Sequence, residues 1–186
     1  MVIVEKEGEY EGVLSVAKLM MVSARTAPKS GGEDDILVAV VTEEEKQELA
    51  EEMFKIAEER GIEGFKRDGQ NVMDSDAVVL IGVRGTKSFR KMNCGACGFK
   101  TCEEFDKAEK RAGQDFVGPS CLFKILDLGI ALGSAAKTAS MLNVDNRIMY
   151  RVGVAAKRLG MLPEATVIMG IPISARGKNI YFDRKS

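Results

Sequence analysis

Four cysteines carry most of the chemistry open to this chain: Cys94, Cys97, Cys102 and Cys121, spaced C-x2-C-x4-C-x18-C. Three of them fall within Cys94-Gly95-Ala96-Cys97-Gly98-Phe99-Lys100-Thr101-Cys102, and no other cysteine occurs in the 186 residues. A cubane iron–sulfur cluster needs four thiolates aimed at one small object. Two ligands one tight turn apart, with the small residues Gly95, Ala96 and Gly98 around them, let the backbone approach the inorganic sulfides and donate amides to them. Cys121 closes the set from a distance, after Pro119 has stiffened its approach. Zinc also accepts four thiolates, but its sites usually pair two short knuckles, CxxC with CxxC, whereas the spacing here is three plus one. A redox dithiol of Cys94 and Cys97 leaves Cys102 and Cys121 without a task. Incidental buried cysteines do not cluster with glycines between them. The pattern points to a [4Fe–4S] cluster, with zinc as the alternative metal.

Composition narrows the remaining chemistry. The chain has no histidine, which removes Ser-His and Cys-His nucleophiles, HExxH sites and His-ligated metals unless a partner supplies the ring. Proton transfer would fall to carboxylates, lysines or tyrosines, and no paired carboxylates stand out, so no catalytic residue is assigned. Lys and Arg total 27 against 28 Asp and Glu, and there is no tryptophan. That balance argues against a nucleic-acid or anionic-membrane partner. Glu5, Glu7, Glu9 and Glu11, with only Lys6 among them, are the opposite of a secretory n-region. The apolar run from Leu122 to Leu142 holds Lys124, Asp127 and Lys137. Each central charge costs about 2.5–3.5 kcal/mol on insertion scales, so the run reads as a helix of a soluble protein. The expected location is the cytoplasm, where cysteines serve as ligands or redox groups rather than disulfides.

The periodicity says what positions these residues. Val13, Val16, Ala17, Met20 and Met21 form one stripe of a first helix from about Gly12 to Ala24. A loop, Arg25 to Gly32, leads to the apolar run Ile36–Val41, a strand covered on both faces. Thr42 and Glu45 make a capping box for a helix that buries Leu49, Met53, Ile56 and Ala57 and closes on Gly61 as a left-handed C-cap. Residues 62–76 read as a polar connection with a short edge strand, and Ala77–Val83 as a second buried strand. Residues 84–121 show no period. Helices then run over Leu122–Leu142 and from Asn146 to about Leu159, the latter capped by Asp145. A third buried strand covers Thr166–Ile171, and a short last strand Asn179–Phe182. Met20, Met53 and Met141 fit core positions. Gly129, Gly133, Ala136 and Ser140 predict a close helix–helix contact, within the chain or across a homodimer.

The cysteine string resembles the [4Fe–4S] motif of corrinoid iron–sulfur proteins and of the B subunit of Rnf-type electron-transport complexes. Over most of its length the chain is similar to a family of uncharacterised prokaryotic proteins containing a ferredoxin domain. The likeness rests on that motif, on the segments 127–136 and 149–156, and on Gly170-Ile171-Pro172. Outside the cysteine segment, the order of elements also resembles the FMN-dependent nitroreductase fold. Ala27-Pro28-Lys29-Ser30-Gly31-Gly32 stands where that family has an A-P-S loop, and Gly170-Ile171-Pro172 where its last core strand ends in G-x-P. What this resemblance implies is FMN as a second cofactor, with Arg25 and Lys29 supplying charge to its phosphate. Two departures stand against it: acidic Glu9-Tyr10-Glu11 replaces an arginine-rich stretch, and the asparagine after the loop is missing. A plain surface turn is the other reading of the loop.

Together these observations predict an α/β (α+β) fold of three layers. A central mixed sheet carries helices on both faces in a nitroreductase-like arrangement. Residues 1–186 form one domain, with a loop-rich [4Fe–4S] module embedded over 84–121. The expected function is a redox protein that carries single electrons through the cluster to or from a partner protein in anaerobic metabolism. A small flavo-iron–sulfur oxidoreductase using FMN and a structural zinc-binding interaction module are the alternatives. The basic residues Arg84, Lys87, Arg90 and Lys91 before the cysteines would raise the potential of an anionic cluster or dock an acidic partner; a solvated loop explains them equally.

Overall fold

The structure is a computed structural model that describes residues 2–182; residue 1 and residues 183–186, the ends of the expected 1–186 domain, lie outside the described residues. In chain order the elements are α1 (Glu5–Thr26), β1 (Ile36–Val41), α2 (Glu43–Arg60), α3 (Glu63–Met73), β2 (Ala77–Val83), α4 (Cys102–Lys107), β3 (Arg111–Ala112), β4 (Val117–Gly118), α5 (Leu122–Met141), β5 (Asp145–Asn146), α6 (Tyr150–Arg158) and β6 (Val167–Ser174). Single 3-10 turns occupy Ser30–Gly32 and Ile180–Phe182.

The apolar runs become the strands because each has a helical layer on either side. All seven residues of β2 are buried. Ala77, Val79, Ile81 and Val83 point to a core shared with Val13, Ala17 and Met20 of α1 and Leu128, Ala131 and Ala135 of α5. Val78 and Leu80 point the other way, to Leu49, Met53 and Ile56 of α2, Phe65 and Val72 of α3, and Val152 and Ala155 of α6. This period of two in one strand makes the three layers: α1 and α5, the sheet, then α2, α3 and α6.

The main sheet has the order β1-β2-β6-β5, and every pairing in it is antiparallel, so the expected mixed sheet is corrected. The reason lies in residues 62–76, which form α3 rather than a connection with an edge strand. A single crossover helix returns the chain for a parallel strand; the pair α2 and α3 returns it twice, so β2 enters in the opposite sense to β1. Polarity and two glycines hide α3 in the sequence. Gly69 is there because the helices nearly touch: a Cβ on it would sit 2.9 Å from the Phe54 ring and 3.2 Å from Met53 Cβ.

Other boundaries move for local reasons. Thr42 sits at the N-cap of α2, but its side chain accepts no cap hydrogen bond, so the box with Glu45 does not form; Gly61 does close the helix left-handed at φ 66°. Asp145 and Asn146 pair with Ser174 and Ile173 as β5 instead of opening a helix, which begins only at Tyr150. The last predicted strand is a 3-10 turn that buries Tyr181. Met20 and Met53 are fully buried, while Met141 is 70% exposed. The close contact of α5 uses Ala131, Ala135 and Ala139 against α1, where Ser23 and Thr138 hydroxyls meet at 2.6 Å. Gly129 and Gly133 instead face open space.

Candidate metal centre

Residues 84–121 leave the end of β2 and return at the start of α5. Their course is set by short polar contacts, because the segment has few apolar side chains to bury. Gly98 N donates to Gly95 O at 2.9 Å and closes the turn that carries Cys97. Gly95 and Gly98 hold φ of 74° and 88°, a left-handed conformation that glycine adopts without Cβ strain. Cys102 is the first residue of α4, behind Thr101, whose hydroxyl caps the helix by accepting from Glu104 N. Cys121 stands at the N-cap of α5, and its N–H donates to Gly85 O at 2.8 Å. Ser88 is tied to α4 through Asp106, with Ser88 N and Oγ at 3.0 and 2.7 Å from the carboxylate.

These contacts bring all four cysteines to the wall of one hollow, about 310 Å³ of atom-free space counted out to solvent. Three separate elements supply them: the turn, the start of α4 and the start of α5. None is in a disulfide; Cys94 is exposed, Cys97 half-buried, Cys102 and Cys121 buried. Phe89, Phe99, Phe105 and Phe123 complete the wall, Phe89 against Phe123 at 5.0 Å and Phe99 edge-on to Phe105 at 6.0 Å between ring centres. The donor set therefore fits a four-thiolate cluster. Among the described residues no group of three or more His, Cys, Asp or Glu side chains is placed to hold a single metal ion.

Asn93, which the sequence reading passed over, binds the two limbs of the site together. Its side-chain oxygen accepts from Cys102 N at 2.8 Å while its own N–H donates to Cys102 Sγ at 3.2 Å. An N–H directed at sulfur is an outer contact that orients a metal-binding side chain. Asn93 also holds φ of 50°, a left-handed conformation that asparagine tolerates better than most residues. Its place directly before the first cysteine was the only sequence signal.

The basic residues are mostly engaged. Arg84 pairs with Glu164 at 2.8 Å, Lys87 with Asp35 at 3.9 Å, and Arg90 with Glu33 at 3.6 Å and Gly31 O at 2.7 Å. Arg25 and Lys29 are engaged too, within their own loop. Arg25 Nη1 lies 2.5 Å from Asp34 and 2.8 Å from Ile36 O. Lys29 donates to Ala24 O at 3.0 Å and to Arg25 O, closing the last turn of α1. Burial pushes the Asp34 carboxyl up, but the Arg25 hydrogen bond, Ile36 N–H and Lys29 outweigh it and hold it below the ordinary carboxylate range.

A family model described as "Uncharacterized protein containing a ferredoxin domain (DUF2148)" matches residues 117–184. An uncharacterized protein from Archaeoglobus fulgidus is 51% identical over 184 residues, which is 99% of this chain and 98% of that one. The chain belongs to this ferredoxin-domain family. Among solved structures, this family member is similar to a nitroreductase with bound FMN from Desulfitobacterium hafniense, with a TM-score of 0.56 and 14% identity over 90% of this chain and 78% of that one. It is also similar to a nitroreductase-like family protein from Bacillus cereus, with a TM-score of 0.57 and 10% identity over 100% and 82%. The fold of this ferredoxin-domain protein is thus nitroreductase-like, with the cysteine segment set into it. Among the described residues, no helix is long and apolar enough to cross a membrane.

Proposed function

We propose that this ferredoxin-domain protein is a [4Fe–4S] redox protein that exchanges single electrons with a partner protein. The observation that carries the reading is the meeting of Cys94, Cys97, Cys102 and Cys121, all free thiols, around one hollow. A bound cluster supplies one-electron chemistry at a potential set by its surroundings. The four cysteines would hold it. The chain's own residues do the rest. Asn93 N–H supports the Cys102 sulfur, the phenylalanine wall keeps water from the inner side, and exposed Cys94 leaves the outer edge within reach of a partner. Exposed Lys91 and Lys100 beside that edge suit a partner with an acidic surface. The segment 84–121 is then the cluster-binding module of a single domain in a cytoplasmic protein.

Iron, acid-labile sulfide and zinc per chain, measured on protein purified without oxygen, test the reading. Iron and sulfide in equal amounts are expected, and Cys97→Ala is expected to lose both along with the visible chromophore. One zinc without sulfide would replace the redox reading with a structural zinc module. The FMN-dependent alternative draws on the likeness to the FMN-bound nitroreductase. It requires Arg25 and Lys29 to leave Asp34 for a phosphate. Flavin fluorescence after denaturation separates it from electron carriage alone.

A further inference from the structure

Lys124 lies one helical turn beyond Cys121, and its side chain has no exposure to solvent. An ammonium leaves water at a cost of several kcal/mol unless it is paired, and a well-packed apolar side chain would serve the fold at least as well. Asp35 Oδ2 is 2.7 Å from the ammonium and Glu33 Oε2 is 3.5 Å from it. Both carboxylates come from the strand-leading turn before β1. From α5 itself Asp127 adds a third carboxylate, its Oδ1 taken by Ser30 N and Oγ at 2.8 Å each. From the segment after β2, Lys87 faces Asp35 and Arg90 faces Glu33. Burial lowers the Lys124 pKa, but Asp35, Glu33 and Asp127 outweigh it and hold it above the ordinary lysine value, so the side chain is a permanent cation.

Two further facts argue that this group is more than a brace. Lys124 Nζ, Asp35 Oδ2 and Asp127 Oδ2 are buried without a hydrogen bond of normal geometry, so charge rather than directed hydrogen bonding holds the group. The ammonium also lies 5.8 Å from the centre of the Phe89 ring, whose side chain lines the cysteine hollow. One aromatic ring therefore separates a buried charge pair from the place of an anionic cluster, where salt screens little.

We propose that Lys124 and Asp35 form a fixed pair of opposed charges that sets the reduction potential of the cluster in the adjoining hollow. The proposal rests on the cluster reading above. Reduction adds one electron from an external donor and no proton, so the four-thiolate cluster becomes one unit more negative. The Lys124 ammonium favours that state and the Asp35 carboxylate opposes it. Both are positioning residues, since neither touches the site.

The test is a potentiometric titration with dithionite as reductant, followed in the visible spectrum, on the full holoprotein and on Lys124→Met, Asp35→Asn, Lys124→Arg and the double variant. The midpoint potential is expected to fall in Lys124→Met, to rise in Asp35→Asn, and to stay near wild type in Lys124→Arg and in the double variant. These shifts should persist at high salt, whereas any shift from exposed Lys91→Met should fade. A brace would move the two single variants in the same direction, or move neither, and that result overturns the proposal. Should Lys124→Met fail to fold, Asp35→Asn keeps the sign test, and a fall or no change there is equally decisive. Wild-type protein without iron and sulfide overturns the cluster reading itself; an intact chromophore whose potential ignores both charges overturns only this inference.

Discussion

The sheet with its two helical layers and the cysteine segment are stabilised by different physics. In the first, β2 is buried along its whole length, and apolar side chains pack against both of its faces. In the second, the buried apolar group is Phe89, Phe105 and Cys121 with Cys97, Phe99 and Phe123 against it. Shape there comes from turns, caps and ion pairs. The seam between the two regions is polar as well: Asp115 of the cysteine segment takes Arg60 of α2 at 2.5 Å and Tyr150 of α6 at 2.5 Å. A scaffold held by burial keeps its form alone, while a loop held by few contacts gains the most from a ligand that joins its ends.

Damage to the scaffold should therefore be global and large. A Cβ at Gly153 would fall 1.8 Å from Ile168 O and 2.4 Å from its carbonyl carbon, backbone atoms that cannot swing aside. Gly153→Ala is expected to cost roughly 3 kcal/mol or more, at the top of the overpacking range, read as a lower denaturant midpoint for the whole chain. An unchanged midpoint would mean that α6 and β6 are not packed as described.

Removing metal should be local. After chelation, or in Cys102→Ala, amides of 84–121 are expected to exchange with solvent faster while those of β2 keep their protection. Loss of protection across β2 would contradict the division into two regions. Asn93→Ala should act more mildly, by about 1 kcal/mol for the lost acceptor of Cys102 N. It is read as faster iron loss to a chelator at unchanged melting temperature, and a wild-type rate of loss would remove Asn93 from the site.

The smallest effect is at the seam. Burial and the neighbouring Asp115 push the Tyr150 phenol up to about 12. Its neutral form is thus favoured by folding, and that contribution, present below about pH 10, is lost as pH rises from about 10 towards 12. Burial raises the Asp115 carboxyl, but its hydrogen bonds from Tyr150 and Arg60 outweigh this and hold it low. Its contribution is present above the ordinary aspartate range and is lost as pH falls through its lowered value. Tyr150→Phe should flatten the alkaline limb of the stability profile and also shorten the acid limb, because Asp115 then keeps only Arg60 to hold its carboxyl low. An unchanged alkaline limb would show that the Tyr150 contact does not hold the seam.

The sequence was most legible where burial is two-sided. The runs Ile36–Val41 and Ala77–Val83 form strands over just those residues; the second is buried along its whole length, and the first, at the sheet edge, is half-buried at its four central positions. It was least legible where a residue's purpose lies in another element. Gly69 reads as a helix breaker until Phe54 and Met53 are seen against it. Missing α3 for that reason also cost the strand sense. At the site, the close spacing of Cys94, Cys97 and Cys102 could be read directly, whereas Cys121 joins them only through the start of α5. Asp35 and Lys124 are 89 positions apart in the chain, and only the fold makes them a pair at 2.7 Å.

What those four thiols hold decides the function. The visible absorption spectrum of the full chain, purified without oxygen and recorded before and after dithionite, tests it most directly. A broad brown band that bleaches on reduction is the predicted result; a colourless protein that dithionite leaves unchanged would contradict it.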